Sequence, residues 1–238
     1  MKNKTIYVPL ALDILHSAHI NILKTAKKYG KVIVGLLTDK AISEYKKIPL
    51  ISYDERLKIL SGLKFVDKIV PQANWDYSEN VKRYKPNFFI HGDDWKLGIQ
   101  KNQRKKVIKA LKKINGKLIE VPFTKNISSS EIKDKLIKLT SSSDNRVSRL
   151  KRLMNAKKIV KILESHNSLT GLIIENLKVI KSNKFIEFDG MWSSSLTDSA
   201  TKGKPDNSSV DFSSRITSLN EMMDATTNPL VFDADNGG

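Results

Sequence analysis

The sequence predicts an α/β protein: a parallel sheet covered by helices on both faces, followed by a smaller run of the same alternation. Three observations carry this. Short apolar runs alternate with stretches of helical periodicity. Two of the runs, Lys31-Val32-Ile33-Val34-Gly35-Leu36-Leu37 and Asn87-Phe88-Phe89-Ile90, are continuous, the pattern of strands buried on both faces. Polar residues follow them, Thr38-Asp39 after one and His91-Gly92-Asp93-Asp94-Trp95 after the other. In such sheets ligands bind beyond the carboxyl ends of the strands.

The chain opens with an apolar run, Ile6-Tyr7-Val8-Pro9-Leu10, read as the first strand. Leu12-Asp13-Ile14-Leu15-His16-Ser17-Ala18-His19 then leads into a helix whose apolar residues Ile20, Leu23 and Ala26 recur at helical spacing. After the second strand a helical stretch runs to Tyr45, and Lys46-Lys47 begins a loop containing Pro49. Ser52 to Leu63 reads as a helix with Asp54 and Glu55 in its first turn, where the dipole favours them. A short strand at Lys68-Ile69-Val70 and a weak helix from Tyr77 to Tyr84 precede the strand at Asn87. A lysine-rich helix to Ile114, a strand from Lys117 to Val121 and a helix from Ser129 to Leu139 complete the unit.

His16 and His19, three residues apart at a helix start, project to one side beside backbone N–H groups that lack helical partners. A helix N-terminus favours anions, and two imidazoles add donors aimed at one place, so phosphate is the natural occupant. Two ordinary polar residues at a helix entrance remain the alternative on this spacing alone.

The 238 residues suit one large domain or two modest ones and include no cysteine, which excludes disulfides and thiolate metal sites. No apolar run is long enough to span a bilayer, and the basic N-terminus leads into a strand rather than a signal peptide. A cytoplasmic protein is expected. Of the net charge of +17, residues 1–145 hold +15 and residues 146–238 only +2. The excess is lysine spread over helix faces, as in Lys101 to Lys113, without the interleaved aromatic residues that base stacking requires. This argues for solvated helix surface with some attraction for polyphosphate, and against nucleic acid.

Thr140-Ser141-Ser142-Ser143-Asp144-Asn145 is small and polar, so residues 141–146 read as a linker between a domain at 1–140 and a second segment at 147–238. In that segment Val147 to Ile162 is amphipathic and helical, Leu163 to His166 ends a strand, and Leu169 to Leu177 is helical. Phe185 to Trp192 is strand-like, Ser194 to Ser209 has the composition of an active-site loop, Ile216 to Asp224 is a helix and Pro229 to Asp233 a strand.

Residues 5–139 resemble a cytidylyltransferase of the small Rossmann-like nucleotidyltransferase family, which includes glycerol-3-phosphate and ethanolamine-phosphate cytidylyltransferases. The motifs stand in order. His16-Ser17-Ala18-His19 matches HxGH, Thr38-Asp39 the strand-end Ser/Thr-Asp, Lys46 the loop lysine, and Asp54-Glu55-Arg56 the ER segment. His91-Gly92-Asp93-Asp94-Trp95 matches xGxDW, and Ile127-Ser128-Ser129-Ser130-Glu131-Ile132 matches ISSTxI. Two positions depart: Ala18 replaces the motif glycine, and the family's RTxGIS reads Phe123-Thr124-Lys125-Asn126-Ile127-Ser128, without its arginine. The resemblance implies attack by a phosphate or phosphonate oxygen on the α-phosphorus of CTP, with magnesium pyrophosphate leaving. It implies His16, His19 and Lys46 as catalytic residues. Asp94 and Trp95 would shape the nucleotide pocket, Ser128 and Ser129 would cap the triphosphate, and Arg56 would touch phosphate or form a surface salt bridge.

Residues 147–238 resemble the beginning of phosphoenolpyruvate mutase, of the isocitrate lyase superfamily. Ser165-His166-Asn167-Ser168-Leu169 resembles that family's first strand exit, and Gly190-Met191-Trp192-Ser193-Ser194-Ser195-Leu196 matches GxWxSxL. Lys204-Pro205-Asp206 matches the loop aspartate and Val231-Phe232-Asp233-Ala234-Asp235-Asn236-Gly237-Gly238 the DADxG strand. The resemblance implies that Trp192, Ser193 and Ser194 meet the substrate, that Asp206 lies on a closing loop, and that Asp233 and Asp235 hold Mg²⁺. The resemblance implies the incomplete start of an α/β (TIM-like) barrel. Three strands cannot close a barrel, so no mutase activity is expected of the chain as given.

The mutase makes a C–P bond, so together the two resemblances point to phosphonate biosynthesis: CMP transfer from CTP to a small phosphonate or phosphomonoester. The alternatives are an adenylyltransferase of the same fold, a phosphoenolpyruvate mutase if the chain is a fragment of a longer enzyme, and a non-catalytic basic nucleic-acid-binding module. A homo-oligomer is compatible with the sequence, and no membrane partner is expected.

Overall fold

The computed structural model describes residues 4–122, 143–181 and 184–235. The chain forms two compact units, Met1–Lys135 and Leu136–Gly238. Among the described residues no helix is long and apolar enough to cross a membrane.

The first unit runs β1 (Thr5–Leu10), α1 (Ser17–Lys27), β2 (Lys31–Leu37), α2 (Asp39–Ser43), α3 (Tyr53–Ser61), β3 (Lys68–Gln72), α4 (Ser78–Tyr84), β4 (Phe88–Gly92), two short 3-10 turns, α5 (Lys101–Lys112) and β5 (Lys117–Val121). The strands form one parallel sheet in the order β3-β2-β1-β4-β5. The order reverses at β1, so its exit lies at the switch point where open α/β sheets bind ligands. Side-chain alternation divides the core. Ile6, Val8 and Leu10 pack with Leu23, Ala26 and Leu60 of α1 and α3 on one face. Tyr7 and Phe89 pack with Val81, Val107, Ala110 and Leu111 of α4 and α5 on the other. On α5 that apolar stripe leaves Lys101, Lys105, Lys109 and Lys112 exposed, as expected of a solvated face. The helix from Ser129 to Leu139 lies outside the described residues.

A buried polar knot crosses the second core. The Tyr7 hydroxyl donates to Gln72 Oε1 at 2.6 Å, and Asn80 Nδ2 donates to Tyr7 Oη at 2.8 Å and to the Pro71 carbonyl at 3.0 Å. Gly35 on the neighbouring strand makes room for it: a Cβ there would sit 1.9 Å from Tyr7 Oη.

The second unit runs α6 (Ser143–Ala156), β6 (Ile162–Glu164), α7 (Ser168–Asn176), β7 (Lys178–Lys181), β8 (Lys184–Glu187), β9 (Gly190–Ser193), α8 (Ser195–Thr201), α9 (Phe212–Ala225) and β10 (Leu230–Phe232). β6, β9 and β10 form a parallel sheet with β9 in the middle. Its strands follow chain order, as in a barrel, unlike the reversed order of the first sheet.

Four sequence expectations change here. The helix expected from Val147 to Ile162 begins at Ser143, inside the expected linker, and ends at Ala156, with Ile162 already in β6. Arg146 explains the early start by donating to the carbonyls of Met223, Thr226 and Asn228, which ties that turn to the end of α9. The single strand expected from Phe185 to Trp192 is two. Buried Asp189 interrupts it, pairing with Lys157 and accepting the Lys161 N–H at 3.0 Å, while β8 pairs with the unanticipated β7 as an antiparallel hairpin. The expected loop from Ser194 contains the helix α8, whose Asp198 pairs with Lys202 one turn on. The last helix starts early because Asp211 caps it, accepting the Ser214 N–H at 2.9 Å.

Gly35→Ala is expected to destabilise the first unit by about 1–3 kcal/mol through overpacking against Tyr7. The measurement is the thermal midpoint, with an expected drop of roughly 3–10 °C. An unchanged midpoint would contradict the close approach.

Candidate active site

The exit of β1 turns sharply. Leu12 holds a left-handed backbone, φ 53°, although its side chain is fully packed, 1 % exposed. A branched side chain adopts that conformation only when its surroundings enforce it. Four residues on, His16 caps α1, and its ring lies 3.9 Å from that of His19, centroid to centroid. The His16 backbone N–H donates to His19 Nδ1 at 3.4 Å. A backbone N–H can only donate, so Nδ1 accepts and the His19 proton sits on Nε2. Burial, followed by the nearby His16 and Lys46, pushes the His19 pKa down to about 3, and burial also lowers that of His16. Both imidazoles are therefore neutral donors at neutral pH.

Lys46 arrives from another direction, on the loop after α2. Tyr45 beside it is buried and stacks on Trp75 at 4.8 Å, Ile48 is fully buried, and the Leu50 N–H donates to Asp13 Oδ1 at 2.7 Å. The Lys46 ammonium lies 5.5 Å from the Tyr45 ring centroid, with its charge felt at His19. The structure thus sets His16 and His19 side by side, within the reach of the Lys46 charge. Asp13, unmarked by sequence reasoning, fastens the lysine loop to the β1 exit.

Arg56 is not on the surface, and its donors go to protein groups rather than to a phosphate. A capping box formed by Ser52 and Glu55 starts α3 and delivers Arg56 into the interior, fully buried. Its guanidinium donates to the carbonyls of Ala11 at 2.5 Å, Leu37 at 2.8 Å and Ile51 at 3.3 Å, and pairs with Asp39 at 2.8 Å.

At the β4 exit, Trp95 is also fully buried. Its Nε1–H donates to Glu120 at 2.8 Å, and its ring stacks on His91 at 4.0 Å. The Arg104 guanidinium, bonded to Glu120, leads the groups that hold this carboxyl at a pKa of about 2 against the opposing effect of burial. Asp94 is partly exposed, 3.8 Å from His91 Nδ1. His91 packs against both Tyr77 and Trp95, with Nδ1 donating to the Gly92 carbonyl at 2.9 Å and burial lowering its pKa. Ser128 and Ser129 lie outside the described residues.

In the second unit the parallel strands bring Ser165, Ser193, Ser194, Asp233 and Asp235 to one edge. Trp192 is 39 % exposed on β9, and Asp206 is exposed on the segment between α8 and α9. Asp233 accepts from the Ser195 hydroxyl at 3.2 Å, and Asp235 pairs with Arg215 at 2.6 Å. Among the described residues no three His, Cys, Asp or Glu side chains gather as a metal centre requires. In this arrangement a guanidinium answers the Asp235 charge, and Asp233 accepts from a hydroxyl and from the Asp235 N–H.

Comparison with known proteins agrees with this division. The phosphoenolpyruvate phosphomutase family model matches residues 150–238. A mutase structure from Streptomyces platensis subsp. rosaceus is 30 % identical, with a TM-score of 0.32; the match covers 37 % of this chain and 27 % of that one. Glycerol-3-phosphate cytidylyltransferase of Bacillus subtilis is 29 % identical over 52 % of this chain and 90 % of its own length. Mouse ethanolamine-phosphate cytidylyltransferase is 27 % identical over 55 % of this chain, which spans only 32 % of that protein. FAD synthase of Thermococcus sibiricus is 35 % identical over 47 % of this chain and 75 % of its own length. The cytidylyltransferase-like family model matches residues 11–135, more than half of the molecule, and the chain belongs to that family.

Proposed function

We propose that the first unit transfers CMP from CTP to the phosphonate or phosphate oxygen of a small acceptor, in phosphonate biosynthesis in the cytoplasm. The observation that carries this is the neutral His16–His19 pair at the start of α1, beyond the central strand, with the Lys46 charge against it. The acceptor oxygen forms a bond to the α-phosphorus, and the bond from that phosphorus to the bridging oxygen breaks. The electron pair leaves with pyrophosphate. The substrate supplies its own nucleophile, so the protein's task is positioning and stabilisation of charge. The His19 Nε2–H donates to phosphoryl oxygen without gaining or losing a proton, His16 adds a second donor, and Lys46 supplies the fixed positive charge. Mg²⁺ enters with CTP as part of the substrate. Ser128 and Ser129 are proposed to meet the triphosphate. The phosphonate acceptor is supported by the union in one chain with a segment matching phosphoenolpyruvate phosphomutase. Identity to a FAD synthase, whose product carries an adenylyl group, favours ATP as the second reading.

The test is pyrophosphate release from CTP and ATP in parallel. A clear preference for CTP is expected, and a preference for ATP would replace this reading with the second. His16→Ala and His19→Ala are each expected to lower turnover by about two orders of magnitude, with unchanged far-UV dichroism, through lost donors at developing charge. Near wild-type turnover in both would make the pair structural. Lys46→Ala is expected to raise KM and lower kcat together, because it meets charge in ground and transition states alike.

The His19 shift also sets a pH dependence. The folded imidazole resists protonation, so the unfolded chain binds that proton more readily. Its contribution to stability is fully present above about pH 6.5 and is lost progressively as pH falls from there toward about 3. Denaturation of His19→Gln across that range is expected to show a shallower acid loss than wild type. Equal slopes would contradict a buried neutral His19.

A further inference from the structure

We infer that Arg56 is a positioning residue whose buried guanidinium holds the His16–His19 pair and Lys46 at their working separation. The inference rests on the nucleotidyl-transfer reading of that site. The catalytic groups arrive on two loops, one after β1 and one after α2. Arg56 belongs to neither. From the first turn of α3 it donates to Ala11 at the start of one loop and to Ile51 at the end of the other. Ala11 stands five residues before His16, and Ile51 five residues after Lys46. The same planar group also donates to Leu37 at the β2 exit and pairs with Asp39 at the start of α2, which leads into the lysine loop. One rigid fork therefore fixes the β1 exit, the β2 exit and both ends of the segment that carries Lys46.

The nature of the group supports this role. Burying an ion pair costs desolvation, and apolar residues of similar volume often serve stability as well or better. A guanidinium supplies what an apolar side chain cannot, donors in fixed directions within one plane. Lysine keeps the charge and loses the fork. The left-handed Leu12 stands between the two residues of the first loop that face the second: Ala11, bonded to Arg56, and Asp13, bonded to the Leu50 N–H. Asp13 thus joins the same two loops at a second point, and strain at Leu12 is the conformational cost of presenting both groups.

The test uses the full chain carrying Arg56→Lys, with Asp39→Asn as a second variant that leaves the three carbonyl bonds in place. Two readouts are taken well below each melting midpoint: kcat with CTP, and the His19 imidazole pKa by NMR. Arg56→Lys is expected to lower kcat about 10- to 100-fold, the scale of a misplacement of about 1 Å. Its His19 pKa is expected to rise from about 3 toward 6.5 as the loops part and water enters. Asp39→Asn is expected to shift both in the same direction by less. Millimolar methylguanidinium is expected to restore part of the turnover of Arg56→Ala. A folded Arg56→Lys with wild-type kcat and an unmoved His19 titration would overturn the inference. A wild-type chain without nucleotidyl transfer, whose Arg56→Lys variant still shows the His19 shift, would keep the positioning role and overturn the proposed reaction.

Discussion

The parallel pairing of β1 with β2 on one side and β4 on the other is the constraint on which the candidate site depends. It places three strand exits side by side, and each exit delivers a different kind of group. From β1 come the two imidazoles, from β2 the segment leading to Lys46, and from β4 the His91–Trp95 platform. The exits also end in backbone carbonyls that must find donors once buried. Arg56 meets that need for Ala11 and Leu37 in one step. Completing the sheet's hydrogen bonding and placing the phosphate-facing groups are thus one structural problem with one solution.

What could be read from the sequence follows from which signals are local. The β2 and β4 runs are continuous and apolar because both faces are covered, and they are found where expected. The His16–His19 spacing fixes a shared side as soon as a helix starts there. Arg56 was legible as a motif residue but not in its role, because a charged residue in a helix's first turn normally faces water. Its burial depends on carbonyls at Ala11 and Leu37, far away in the chain. The burial of Trp95 also depends on a distant partner: Glu120 lies a helix and a strand further on. Asp13 gave a local hint, a carboxylate within an apolar stretch just before a histidine pair. In the second unit the break between β8 and β9 was invisible because it rests on the pairing of Asp189 with Lys157.

The two units solve different packing problems with the same alternation of strands and helices. In the first, an order that reverses at β1 makes a crevice between diverging connections, and both sheet faces are covered by helices. In the second, strands following chain order carry Asp233 and Asp235 to an edge where Arg215 pairs with Asp235 and the Ser195 hydroxyl donates to Asp233. Large apolar side chains are exposed along this unit, among them Leu169, Ile173 and Ile180, whereas the first unit exposes few. The chemistry proposed here belongs to the first unit.

The central claim is that the histidine pair and Lys46 serve CMP transfer to a small phosphonate. Phosphorus NMR of the purified chain with CTP, Mg²⁺ and a panel of small phosphonates and phosphomonoesters tests it most directly. The account predicts a CMP ester of a phosphonate, with coupled phosphorus signals from the new P–O–P linkage and one pyrophosphate per ester. Esters from phosphomonoesters alone would contradict the phosphonate acceptor, and no ester from any acceptor would contradict CMP transfer itself.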